Sequence, residues 1–164
     1  MKTNSLISHL IAITLLPFTV TIIIPSYIFR NEQSFVPDTI LIKAAGAILM
    51  GLGLLLFAMT LRLFISTGKG TLAPWDPPQN LIVKGPYRHC RNPMICGVLF
   101  ILVGESFLFR SADILTWAGT FFIINNIYFL VYEEPGLLKR FGSDYEKYKK
   151  NVPRWIPKWS PYNP

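Results

Sequence analysis

The chain has 164 residues, 51% of them apolar and 15% charged, and a formal net charge of +7. Soluble domains carry charge on close to a quarter of their residues, so this composition excludes an ordinary soluble domain and points to a chain that sits largely in hydrocarbon. The surplus of Lys and Arg reads as a membrane-orientation signal and an attraction to anionic lipid; nothing calls for nucleic acid.

Residues 5–29 and 38–65 are apolar runs, each long enough at about 1.5 Å per residue to cross a hydrocarbon core of roughly 30 Å. One Lys precedes the first run and no small-residue cleavage pattern follows, so it reads as a retained helix. His9, near its start, reads as a structural or cavity residue. Runs 94–109 and 114–132 are separated by the polar turn 110–113, whose Asp113 is expected to cap the second helix. They form a helical hairpin whose first arm, about 24 Å long by the same rise, is short for a full crossing. Glu105 near the outer end of that arm reads as a structural or cavity residue. Beyond residue 132, Leu137, Leu138, Phe141, Tyr145, Tyr148 and Val152 recur at helical spacing, with Lys139, Arg140, Lys147, Lys149 and Lys150 largely on the other face. That pattern predicts an amphipathic interfacial helix, with Trp155, Trp159 and Tyr162 as interface anchors. The fold class is therefore an all-α integral membrane protein of about four transmembrane helices, the last two a short hairpin, followed by a C-terminal amphipathic interfacial helix. It forms one domain, with residues 1–65 as two N-terminal spans and 66–164 as the functional region.

Four spans place the N-terminus, the 66–93 loop and the tail on one side. That side holds Lys2, Arg62, Lys69, Lys84, Arg88, Arg91, Lys139, Arg140, Lys147, Lys149, Lys150, Arg154 and Lys158, against Arg30 and Arg110 on the other, with Lys43 inside the second run. Basic loops stay inside, so both termini are expected in the cytoplasm.

Three polar segments gather on that side. In "STGKGTLAPWDPP" (66–78), Gly68 and Gly70 permit close backbone approach to a ligand, or simply stop a helix. In "LIVKGPYRHCRNPMICG" (81–97), Asn92 and Pro93 make a good helix start, as cap and first helical residue, but leave Arg88, His89 and Arg91 unexplained. Cys90 and Cys96 lack Cys-x-x-Cys spacing and an oxidising setting, so neither a disulfide nor a metal site is expected. In the third segment Glu133 and Glu134 stand at the C-terminal end of an apolar helix, an unfavourable place for acid that neighbouring bases or a bound cation would offset.

In order and spacing, these segments resemble the isoprenylcysteine carboxyl methyltransferase family and its relatives, the phospholipid N-methyltransferases. The resemblance covers about residues 66–160: a Gly-x-Gly loop, a G-x-Y-R-x-x-R-N-P turn opening a hairpin, then Glu-Glu and F-G-x-x-Y-x-x-Y. It implies an S-adenosylmethionine-dependent methyltransferase, with cofactor contact at Gly68, Gly70, His89, Pro93, Glu133 and Glu134. Tyr87, Arg88, Arg91 and Asn92 are implied at the reacting groups, and a lipophilic acceptor would enter from the bilayer. Carboxylates suit the cofactor's cationic groups, and Arg91 suits an acceptor carboxylate held bidentately. An amine acceptor would make His89 or a Glu interesting as base. Two other readings are a non-catalytic membrane protein of similar fold and a sterol-reductase-like enzyme using a nicotinamide cofactor. Paired acids argue against the latter, because a pyrophosphate wants basic groups.

Overall fold

The computed structural model describes residues 14–29, 34–68 and 78–163. Expectations at Lys2, His9, Arg30, Lys69, Gly70 and residues 71–77 lie outside the described residues. Within them the chain is an all-α membrane protein, with only an isolated bridge between Ser34 and Ser111 in place of a sheet.

A π-wound run, Thr14–Ile23, holds Pro17 and passes into the short helix α1 (Ile24–Ile28), which has Pro25 in its first turn. Neither proline can donate a ladder hydrogen bond. Helix α2 (Ile40–Leu63) starts at Thr39, whose side chain accepts from Ile42 N–H, and ends in a π-wound turn, Phe64–Gly68. Helix α3 (Pro93–Leu108) has proline at its first position, as the sequence predicts. Asn92 stands at the cap position, but its side chain makes no capping bond there. The hairpin turn brings a second correction: Ser111, not Asp113, caps α4 (Ala112–Tyr128), accepting from Ile114 N–H at 3.3 Å. Arg110 turns the chain at φ +55°. It also ties the hairpin to the loop before α2, donating to Val36 O at 3.0 Å and pairing with Asp38 at 3.2 Å.

The run from Ile40 to Gly68 and the one that begins at Ala112 are long and apolar enough to cross a membrane, with Pro17–Ile28 and Pro93–Leu108 shorter. Packing between α2 and α3 is governed by glycine. A Cβ on Gly53 would lie 2.6 Å from Gly97 O, and one on Gly104 would lie 2.7 Å from Gly46 O. Backbones therefore touch at two levels, the close approach that small residues permit between membrane helices. Around this pair, Val98, Leu102 and Ala118 form a core with Val20, Phe57 and Phe121.

A third π-wound turn, Phe129–Glu133, carries α4 directly into α5 (Glu134–Asn151). The sequence predicts one interfacial amphipathic helix here, and the structure breaks it at Gly142 (φ +51°, ψ −127°). In an unbroken helix Lys149 would lie about 22 Å from Glu134, fifteen residues earlier. The two side chains pair at 2.8 Å, so the chain reverses at Gly142. Tyr145, Tyr148 and Val152 then pack on Leu81, Val83, Leu137, Phe141 and Tyr162 instead of on lipid, while Leu138 stays exposed.

Three alanine substitutions separate these causes in detergent unfolding. Gly51→Ala, with nothing within 4 Å of a Cβ, should hold or raise the midpoint. Gly53→Ala should lower it by about 1–3 kcal/mol of overpacking, and Gly142→Ala by about 1–3 kcal/mol, because its positive φ with ψ −127° is a backbone conformation that glycine alone adopts readily.

Candidate functional site

A cavity of about 760 Å³ opens between the helices at the end of the molecule that carries the polar residues. Its deeper wall is apolar, with Val20, Phe57, Val98 and Phe121; its mouth carries Asn80, Arg91, Asn125, Tyr128, Glu133 and Arg140. All three π-wound segments contribute to it, through Pro17 and Val20, through Phe64, and through Phe129, Tyr132 and Glu133. A π turn accommodates an extra residue and frees backbone groups, and such turns collect at functional sites.

Glu134 organises the mouth. It is 6% exposed, and its Oε1 accepts from Arg91 Nη1 at 2.8 Å and from Arg154 Nη2 at 2.7 Å, while Oε2 meets Lys149 Nζ at 2.8 Å. Three cations on one carboxylate leave a local charge of +2. This acid begins α5, outside the apolar part of the spans. Burial alone would push the Glu134 carboxyl up; the Lys149 hydrogen bond and the charges of Arg91 and Arg154 outweigh that and hold it below the ordinary carboxylate range. Arg91 also donates to Tyr145 Oη at 3.3 Å, yet its buried Nε has no partner among the described residues. Glu133 differs from its neighbour. It makes no ion pair among the described residues, and its contact with Tyr128 Oη is long, at 3.5 Å. Tyr148 Oη donates to Tyr87 O at 2.7 Å, so α5 rests on the turn that precedes α3. Burial pushes both phenols above their ordinary range and keeps them protonated.

Of the residues singled out in the sequence, Tyr87, Arg91, Asn92, Glu133 and Glu134 come together on the cavity wall. Arg88 and His89 do not. Arg88 Nε donates to Tyr162 O at 2.9 Å and its Nη2 bonds Asn163, while His89 Nδ1 donates to Lys158 O at 2.7 Å. Pro93 is buried in the first turn of α3. Gly68 sits behind the wall, where its carbonyl accepts from Gln79 N–H at 2.8 Å and a Cβ would meet Ile82 at 2.9 Å. Gly70 lies outside the described residues. Cys90 and Cys96 hold their sulfurs 4.0 Å apart, beside the Trp155 carbonyl.

Sequence reasoning missed Arg154 and Asn126. Asn126 Oδ1 accepts from Arg154 Nη1 at 3.3 Å and from Trp155 Nε1 at 3.0 Å, an exchange between a helix and a tail 28 and 29 residues away that no local pattern signals. Trp155 and Tyr162, expected as interface anchors, turn inward: Trp155 packs on Phe122 and Phe129, and Tyr162 on Tyr148. An intramembrane Asn on α4 was the available signal for Asn125 and Asn126.

A family model described as phospholipid methyltransferase matches residues 41–144, from the start of α2 into α5. Neither a curated protein nor a solved structure matches the chain.

Glu134→Gln should cost about 3–5 kcal/mol, because it strands three cations around a buried site, whereas Glu133→Gln should stay within about 1 kcal/mol in the same unfolding assay. Since the folded Glu134 titrates below its unfolded value, the clasp contributes fully above the ordinary carboxylate range and is lost as pH falls through the lowered value. Wild type should therefore lose stability on acidification more steeply than Glu134→Gln.

Proposed function

Since the chain belongs to the phospholipid methyltransferase family, a family of membrane methyltransferases, we propose that it transfers a methyl group from S-adenosylmethionine to a lipophilic acceptor, with an isoprenylcysteine-type carboxylate favoured as the reacting group. The observation that carries this reading is the cavity's division into a charged mouth and an apolar wall between the helices. At about 760 Å³ it falls in the range of small-molecule sites.

When bound, S-adenosylmethionine supplies an electrophilic methyl group on a sulfonium. Glu133, which makes no ion pair among the described residues, would hold the cofactor's ammonium. Tyr128 and Tyr132, stacked with centroids 6.0 Å apart, offer ring faces to its positive charge. Tyr87 and Asn92 close the mouth beside them, and His89, Pro93 and Gly68 support the cofactor side from behind the wall. Glu134 acts through its clasp. By taking Nη1 of Arg91 it fixes the guanidinium, whose cavity-lining edge would orient the acceptor carboxylate. An ionised carboxylate needs no proton removed, so what remains for the chain is alignment and exclusion of water. Val20, Phe57, Val98 and Phe121 would take the acceptor's lipid portion.

A second reading, a phospholipid head-group amine, is favoured by the description of the matching family and by Glu133. An amine must lose a proton, and Glu133 is the cavity carboxylate left without a basic partner among the described residues. His89 is less suited to that task, because its Nδ1 is spent on the tail.

In calorimetry on lipid-supplied protein, S-adenosylmethionine should bind saturably and NADPH should not. Glu133→Gln should weaken binding at least tenfold, about 1.4 kcal/mol, without unfolding the chain. Folded wild type that binds neither ligand would support the non-catalytic reading, and one that binds NADPH alone would support the reductase-like one.

A further inference from the structure

The tail after α5 contributes no side chain to the cavity wall, yet its backbone is laced to the turn before α3. Arg91 N–H donates to Pro153 O at 2.9 Å, Lys158 N–H to His89 O at 3.0 Å, and Tyr162 N–H to Arg88 O at 3.0 Å. Its side chains divide into two sets. Arg154, Trp155 and Tyr162 face the protein, whereas Ile156 is 81% exposed and Trp159 is 99% exposed. A segment held this firmly by its backbone has no packing reason to leave an Ile and a Trp bare.

The height of the tail supplies the reason. Trp155 packs at a tilt 5.0 Å from Phe122 and edge-on 5.8 Å from Phe129. Phe122 lies ten residues before Tyr132, about 15 Å back along the helix. After reversing at Gly142, the chain thus runs back down beside the final apolar turns of α4, where Ile123 and Ile127 are also exposed. At that level an uncovered apolar side chain meets lipid, and Trp favours the zone where acyl chains give way to head groups. Charge fits the same surroundings: Lys147 and Lys150 are exposed on the returning arm of α5, and Lys158 Nζ sits at Asn151 O, 3.2 Å away. A Lys held near an anionic membrane surface is drawn to it.

We propose that residues 156–159 are a membrane foot. Ile156 and Trp159 enter the head-group boundary of the leaflet at the cavity's mouth, and Lys150 and Lys158 rest on anionic lipid phosphates. Through the tail's bonds to Arg88, His89 and Arg91, this docking fixes the turn that bears Arg91. The foot does not depend on the methyltransferase reading, because its occupant is the bilayer itself.

The test uses full-length protein in nanodiscs of phosphatidylcholine, with or without phosphatidylglycerol, made with lipids brominated at defined acyl positions. The emission that disappears in Trp159→Phe reports Trp159 alone. It should be quenched most by bromine near the top of the acyl chain, and more so with phosphatidylglycerol at low salt, a gain that Lys150→Gln/Lys158→Gln should abolish. Red-shifted, unquenched Trp159 emission in every disc would overturn the foot. Quenching that ignores phosphatidylglycerol, or that keeps its gain in the double variant, would overturn the anionic-lipid contact.

Discussion

The structure turns on one buried carboxylate. Glu134 holds Arg91 from the turn before α3, Arg154 from the tail and Lys149 from the returning arm of its own helix. Taking charges out of water is costly, and such a cluster persists only where geometry and hydrogen bonds are good. Here the requirement ties together three segments that local sequence leaves independent: α5 must reverse, the tail must come back to the mouth, and Arg91 must point inward. The turn at Gly142, the Asn126 bonds to the tail, and the seating of Tyr148 on Tyr87 all follow from satisfying that cluster.

At the level of the spans a different constraint applies. In lipid there is no hydrophobic force between helices, so backbone approach and van der Waals contact must hold them. Gly46, Gly53, Gly97 and Gly104 supply this by pressing α2 and α3 together. The neighbouring helices then cannot all pack as closely, and the π-wound segments at Thr14–Ile23, Phe64–Gly68 and Phe129–Glu133 border the gap that results. Tight packing on one side and widened helices on the other leave an apolar cleft between the helices, capped by charge. Such a site is suited to bringing a water-soluble donor to a lipid-borne acceptor.

Much of this is legible in the sequence. Apolar runs mark α2 and the hairpin, Pro93 marks the start of α3, and the family resemblance implies the juxtaposition of Tyr87, Arg91, Asn92, Glu133 and Glu134 that the cavity wall shows. What stays hidden depends on pairing across the chain. Gly142 reads as one more helical position, because the reversal there shows only in contacts between residues on either side of it, such as the pairing of Glu134 with Lys149. Arg88 and His89 look like site residues because they are polar and adjacent to Arg91, but their partners are tail carbonyls about 70 residues on. Glu133 and Glu134 look interchangeable, and only the three cations around one of them distinguish a structural carboxylate from one free to meet a ligand. Ser111 displaces Asp113 as cap through a two-residue shift in the hairpin turn, the amount by which helix ends commonly differ.

The most direct test of the account is the chemical form of a transferred methyl group. Reconstituted protein would be supplied with methyl-labelled S-adenosylmethionine and, in separate reactions, an isoprenylcysteine-type acid or phosphatidylethanolamine, and the organic-soluble product would be treated with alkali. Carboxyl methylation puts label in the lipophilic product from the acid, released by alkali as methanol, as a methyl ester requires. Label that survives alkali and appears only with phosphatidylethanolamine would contradict the carboxylate assignment and favour Glu133 as a base. No label in any lipophilic product from folded, cofactor-binding protein would contradict methyl transfer itself.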